Sequence, residues 1–284
     1  MLKPRRVRTL KCNPRTARAY LAGGELTSSR LWRASGRRHV GWANTVCVVS
    51  WGQIKSRVVA AELACGVAAG PLFVTGFTAI GARRSGYDWR RHAVSSLAAA
   101  PGGWLQRANF MITGSLVCVA AHGLARGSKD IVGRRAVSAL TFAVGGGLIG
   151  SGLFVTDPVA GYPPSPSGQD QADRNPPAVP TGEGTLHNLC AVPIFIGIPI
   201  AALISATSSA RRGQHRWASY SAGSAIAMGS ASALFGAAFG GAPRLAPHGG
   251  VLQRVSITTG FAWLSALSLR ALTSALPISQ AAVI

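Results

Sequence analysis

Long uncharged, apolar stretches alternate with short polar or basic ones along this chain. Leu63–Ala82, Ala108–Ala125, Ala136–Thr156, Gly184–Ala210 and Trp217–Pro243 each run for 18 residues or more without a charge. An α-helix rises about 1.5 Å per residue and the hydrocarbon layer of a bilayer is about 30 Å thick, so ~20 apolar residues cross it. A sixth run, about Val251 to Ser274, carries Arg254 and Arg270 near its two ends, where long side chains snorkel to the headgroups. The pattern predicts six spans, near 58–82, 104–125, 134–156, 185–208, 217–240 and 251–274. None of the runs alternates with the period of a barrel strand, so the expected fold is all-α, a polytopic membrane helix bundle of six transmembrane helices.

Small residues punctuate these runs. Gly146 with Gly150 and Gly236 with Gly240 form small-xxx-small faces, expected to let helices approach closely. "VPIFIGIPI" in the fourth span, with Pro193 and Pro199, is a kink candidate. Cys12, Cys47, Cys65, Cys118 and Cys190 are odd in number and widely spaced, which suits small apolar core residues better than a disulfide framework.

Composition supports the membrane reading: 48% of residues are hydrophobic, and 13% are charged, against roughly 25% in an ordinary soluble domain. Charge changes the picture at one end. Residues 1–57 carry 13 of the 29 Lys and Arg with a single acid, Glu25. They read as a basic, largely disordered tail ahead of a domain at 58–284, able to lie on anionic lipid headgroups at about 1 kcal/mol per basic residue. Another reading of the same stretch is a reading frame opened upstream of its true start. No nucleic-acid-binding motif accompanies the charge, so no nucleic acid is expected as a partner. Within the tail, "VGWANTVCVVSW" from Val40 is too short to span and suits an interfacial segment. The positive-inside rule places the N-terminus in the cytoplasm of a cell-membrane protein, and six spans return the C-terminus there.

Helix parity then groups the loops: one, three and five share a face, the outer one on this orientation. Loop one holds a polar knot, "SGYDWRRHAVSSL", with Asp88, Arg90, Arg91, His92, Ser95 and Ser96 in nine positions. The end of span three brings Asp157 to that face, and the starts of spans four and six bring His187 and His248. Those nine residues are the candidate ligand-binding set. Three of the six histidines and a carboxylate at one boundary are also the candidate metal set, His92, Asp157, His187 and His248, with zinc the cation in question. No HxxxH or HExxH spacing supports a metal, so no cofactor is assigned, and a purely interfacial, hydrogen-bonding role stays open beside these readings. Ser96 follows His92 by four residues and shares its face if that piece is helical, yet no oxyanion signature accompanies the pair. His92 is expected to converge with at least two of Asp157, His187 and His248, within ~10 Å, close enough for a water or ion to bridge. Glu62 and His122, near span ends, are expected to reach water or a partner such as Arg57. The Pro-rich loop at 157–185 is expected to be extended chain, with Thr185 capping span four.

"RRHAVSSL", "GGWLQRANFMITG", the Gly-rich third span ending "GLFVTDP", and "GTLHN" opening span four together resemble the domain of unknown function 998 family of bacterial integral membrane proteins. The resemblance covers about Val58 to the C-terminus and implies six helices without a known activity. Three functions follow as expectations: a multi-pass membrane protein whose polar outer-face site binds lipid headgroups or a small anion, a metal-dependent membrane hydrolase, or an assembly protein with no ligand.

Overall fold

The computed structural model describes residues 51–127, 133–164 and 179–275. Most of the basic tail, Cys12 and Cys47, and the middle of the Pro-rich loop lie outside the described residues. The elements are α1 (Trp51–Ala82), a short α2 (Ser96–Ala99), α3 (Trp104–Gly127), α4 (Arg134–Leu153), α5 (Gly182–Val192), a π-helical segment (Pro193–Gly197), α6 (Ile198–Ala210), α7 (His215–Phe239) and α8 (Gly249–Ala275). Among the described residues six helical stretches are long and apolar enough to cross a membrane, α5 to α6 counting as one. The protein is a multi-pass membrane helix bundle. Its first helix begins at Trp51, ahead of the expected Val58, so the last residues assigned to the tail are already helical.

Consecutive spans pack on one another, α1 on α3, α3 on α4, α4 on α5 to α6 and α6 on α7, and α8 packs on both α7 and α1, which closes a ring. The outside of the ring is apolar: Phe142, Leu189 and Ile226 are 59%, 65% and 66% exposed, as lipid-facing positions should be. Inside, Phe73 stands at the centre of an aromatic cluster, with ring centroids 4.9 Å from Phe261 and 5.5 Å from both Phe77 and Phe110. Of the glycines expected to allow close helix approach, Gly150 does so: a Cβ there would collide with Cys190 Sγ of α5. A Cβ on Gly114 of α3 would lie 2.6 Å from the Gly145 carbonyl oxygen of α4, so this pair lets two backbones touch. Gly146 and Gly236, by contrast, face nothing within 4 Å.

Glu62 of α1 pairs across the ring wall with α3, not with Arg57. His122 Nδ1 lies 3.0 Å from Oε1 and an Arg126 nitrogen 3.2 Å from Oε2. The kink expected in span four takes the form of the π segment, opened by Pro193, whose missing N–H removes one helical hydrogen bond.

Candidate functional site

Loop one is fastened to the start of α8. Arg254 donates to the carbonyls of Trp89 (2.7 Å) and His92 (3.2 Å) and to the Tyr87 hydroxyl, which in turn donates to Ala93 O at 3.0 Å. Val251 N–H reaches Arg90 O at 3.0 Å, and Val94 N–H reaches Gln253 Oε1 at 2.7 Å. The knot is therefore a backbone plug whose carbonyls meet a helix N-terminus and a guanidinium. Burial raises the Tyr87 phenol above its ordinary value, against the lowering effect of Arg254, so its O–H stays available to Ala93.

His92 is part of that plug. Its Nδ1 accepts the Asp88 N–H at 2.9 Å, which puts the ring hydrogen on Nε2. The ring also bonds the Ala160 backbone and stacks on Tyr162, centroids 5.1 Å apart at 23°, tying loop one to loop three. Burial, the main cause, and the nearby Arg91 push His92 below its usual 6.5, while the Asp88 charge pulls the other way.

Asp157 joins the two ends of the Pro-rich loop. Its Oδ1 accepts the Thr181 hydroxyl at 2.7 Å and its Oδ2 the Thr181 N–H at 3.1 Å. Thr181, not Thr185, caps α5, accepting the Gly184 N–H at 2.9 Å. Any side chain at Gly184 would collide with the Asp157 carboxylate, so glycine is what admits a carboxylate to the positive end of the helix. Glu183 adds a second tie, accepting the Val155 N–H at 3.0 Å.

Beneath these two loops lies a cavity of about 310 Å³ inside the ring. Ser95, Asp157, His187, Asn188 and Gln253 are among its polar lining residues; Phe73, Phe110, Phe235 and Phe239 supply much of its apolar wall. His187 is buried, with Nδ1 2.9 Å from Phe154 O. A carbonyl only accepts, so Nδ1 carries the hydrogen and the neutral ring keeps Nε2 as an acceptor. Ser151 also lines the cavity, and its buried hydroxyl has no protein partner.

The nine candidate residues thus divide. Ser95, Asp157 and His187 surround one cavity. His92 is turned to the latch between loops and does not line the cavity, and His248 is exposed on a short 3₁₀ turn (Ala246–His248), also outside it. Among the described residues no three His, Cys, Asp or Glu side chains are grouped to hold a metal ion. Asp88, Arg90 and Arg91 are exposed on the odd-loop face, with the Arg90 guanidinium 5.4 Å from the Trp89 ring centroid. Ser96 is buried at the first position of α2, whereas His92 lies in a turn before it, so the two do not share a helical face. Sequence reasoning missed Tyr87, Tyr162, Thr181, Asn188 and Gln253. Arg254 was visible only as a charge near a span end.

The cavity is walled unevenly. Its lining residues Phe110, Leu148, Ser151 and Ile257 on α3, α4 and α8 are buried, but Asn188 on α5 and Gly236 on α7 are exposed. Those two helices flank it without substantial packing on each other, because below them α7 packs on α6 and the π segment. A family model described as "Protein of unknown function (DUF998)" matches residues 67–270. No curated protein and no solved structure matches the chain.

Proposed function

The chain belongs to the DUF998 family, and we propose that it is a membrane-embedded binding protein that draws a small amphipathic molecule sideways from the bilayer into the cavity beneath loops one and three. The observation that carries this reading is the cavity's position and polarity: lined by all six spans, exposed at Asn188 of α5 and Gly236 of α7, and combining a few polar side chains with an aromatic wall. At about 310 Å³ it falls at the small end of the ~300–1,000 Å³ of small-molecule pockets. That volume suits a headgroup or one chain rather than a whole diacyl lipid. Its lining contains no Lys or Arg, and its one formal charge is the Asp157 carboxylate. This favours a hydroxyl, amide or amine head over the small anion expected from the loop arginines. His187 Nε2, Asn188 and Gln253 offer acceptors and donors to such a head.

Lipid analysis of the detergent-purified protein tests the proposal. Wild type should carry a stoichiometric single-chain or small-headgroup amphiphile. Gly236→Phe should lose it, since Gly236 lines the cavity and a Cβ there meets nothing within 4 Å. Equal retention by the two proteins excludes this site.

A further inference from the structure

Five buried polar side-chain atoms in one corner of the ring have no hydrogen-bond partner among the described residues: Ser96 Oγ on α2, Gln106 Oε1 and Nε2 and Thr113 Oγ1 on α3, and Ser151 Oγ on α4. The four residues are at most 1% exposed. Leaving such groups unmatched is as costly as losing a hydrogen bond outright. Elsewhere the bundle pairs comparable groups. Asn109, three residues past Gln106, donates to Phe73 O at 3.2 Å, and the Ser232 and Ser256 hydroxyls of α7 and α8 lie 2.8 Å apart.

The corner adjoins the cavity under loops one and three. Ser151 lines that cavity, and so do Phe110 and Ser95, the neighbour of Ser96. Gln106 and Thr113 stand four residues before Phe110 and three after it, on the same buried face of α3. Gly152 sets the end of α4 at this level: a Cβ there would lie 2.8 Å from Arg107 O and 3.3 Å from Phe110 Cβ. The short helix α2, which carries Ser96, packs on α3.

The chemistry of these atoms restricts what can answer them. Gln106 Oε1 only accepts, Gln106 Nε2 only donates, and the three hydroxyls do both. An ammonium head has no acceptor for Nε2, and an ionised phosphodiester or carboxylate has no donor for Oε1. One amide answers a single donor and a single acceptor. Adjacent hydroxyls, each a donor and an acceptor, answer the whole set. Resting on the reading that an amphiphile occupies the cavity, we propose that its head is an uncharged polyol, glycerol or a sugar, recognised by Gln106 with Ser96 and Ser151. Neighbouring hydroxyls of the head exchange one donated and one accepted hydrogen bond with the Gln106 amide. The two serines hold the hydroxyls beside them, and the alkyl chain lies against the phenylalanine wall.

Native mass spectrometry of the delipidated full-length protein, released from a sugar-free detergent, tests the assignment with monolauroylglycerol, dodecyl glucoside, dodecylamine and laurate, four single-chain probes that differ in head. The two polyol probes should bind about tenfold tighter than the charged ones. Gln106→Leu should cost each polyol probe roughly tenfold, and Ser96→Ala and Ser151→Ala severalfold. The ligand-free Gln106→Leu protein should melt no lower than wild type, because leucine requires no hydrogen bond, so the loss of binding is not a folding defect. Whichever polyol binds tighter, glycerol or glucoside, identifies the source of the head. Unchanged polyol affinity in Gln106→Leu would mean that internal water meets these atoms and would overturn the proposal, as would amine or carboxylate binding as tight as polyol. In either case, loss of binding in Gly236→Phe would leave the cavity reading standing. Polyol binding untouched by Gly236→Phe would remove the cavity reading and this proposal with it.

Discussion

Replacing Asp157 with alanine removes the carboxylate that joins the two ends of the Pro-rich loop and covers the start of α5. Two bonds to Thr181, at 2.7 and 3.1 Å, disappear together, and each hydrogen bond to a charged group contributes about 1.5–3 kcal/mol. The favourable interaction with the α5 dipole goes as well, about 0.3–1 kcal/mol. Part of the loss is recovered as water reaches Thr181, which stands at the surface, so the expected destabilisation is about 3 kcal/mol. Thr181→Ala should cost about 1–2 kcal/mol, since it forfeits the Oδ1 bond and the cap to Gly184. The two share an interaction, so the double variant should fall short of the sum by about 1.5 kcal/mol. Reversible unfolding in mixed micelles titrated with dodecyl sulfate, followed by circular dichroism, measures all three. A change under 0.5 kcal/mol in Asp157→Ala, or strict additivity, would falsify the clamp and return Asp157 to the list of free ligand groups.

The remaining predictions address the latch, the helix contacts and the topology. His92 is held neutral in the folded protein, with its pKa below 6.5; above that pH it imposes no penalty, and as pH falls through 6.5 the unfolded chain takes up a proton that the folded one resists. Stability should therefore decline with falling pH from about 6.5 down to the depressed folded value, more steeply in wild type than in His92→Gln; identical pH profiles for melting in the two proteins would exclude the latch as the source. Gly114→Leu should disrupt the α3–α4 contact and abolish stable protein, whereas Gly146→Ala, which meets nothing within 4 Å, should be neutral or stabilise by up to about 1 kcal/mol; fluorescence size-exclusion thermostability separates them. Cysteines at Ser85 and at Gly213 should label from opposite sides of the membrane, and labelling from the same side contradicts the ring. The positive-inside expectation further places Gly213 in the cytoplasm.

How much of this was legible depends on what each inference needed. Span number and alternation needed only the lengths of uncharged runs, and parity from those runs alone placed Asp157 and His187 on one face, where the structure has them at one cavity. Rotation of each helix about its axis was not readable. In a span both the core-facing and the lipid-facing sides are apolar, so periodicity does not say that Gly114 and Gly145 touch while Gly146 faces outwards. Loop ends fared similarly: Thr181 and Thr185 are both competent caps, and the choice was made by Asp157, 24 positions earlier. His92 looked like a ligand because it stood among charges; its partners turned out to be a backbone N–H, a carbonyl and the ring of Tyr162, none of which carries a sequence signal.

Cryo-electron microscopy of the protein in lipid nanodiscs tests the central claim most directly. The account predicts elongated density entering between Asn188 and Gly236 and ending in a polar head within hydrogen-bonding distance of His187. An empty or water-filled cavity, with α5 and α7 packed together across its mouth, would contradict it.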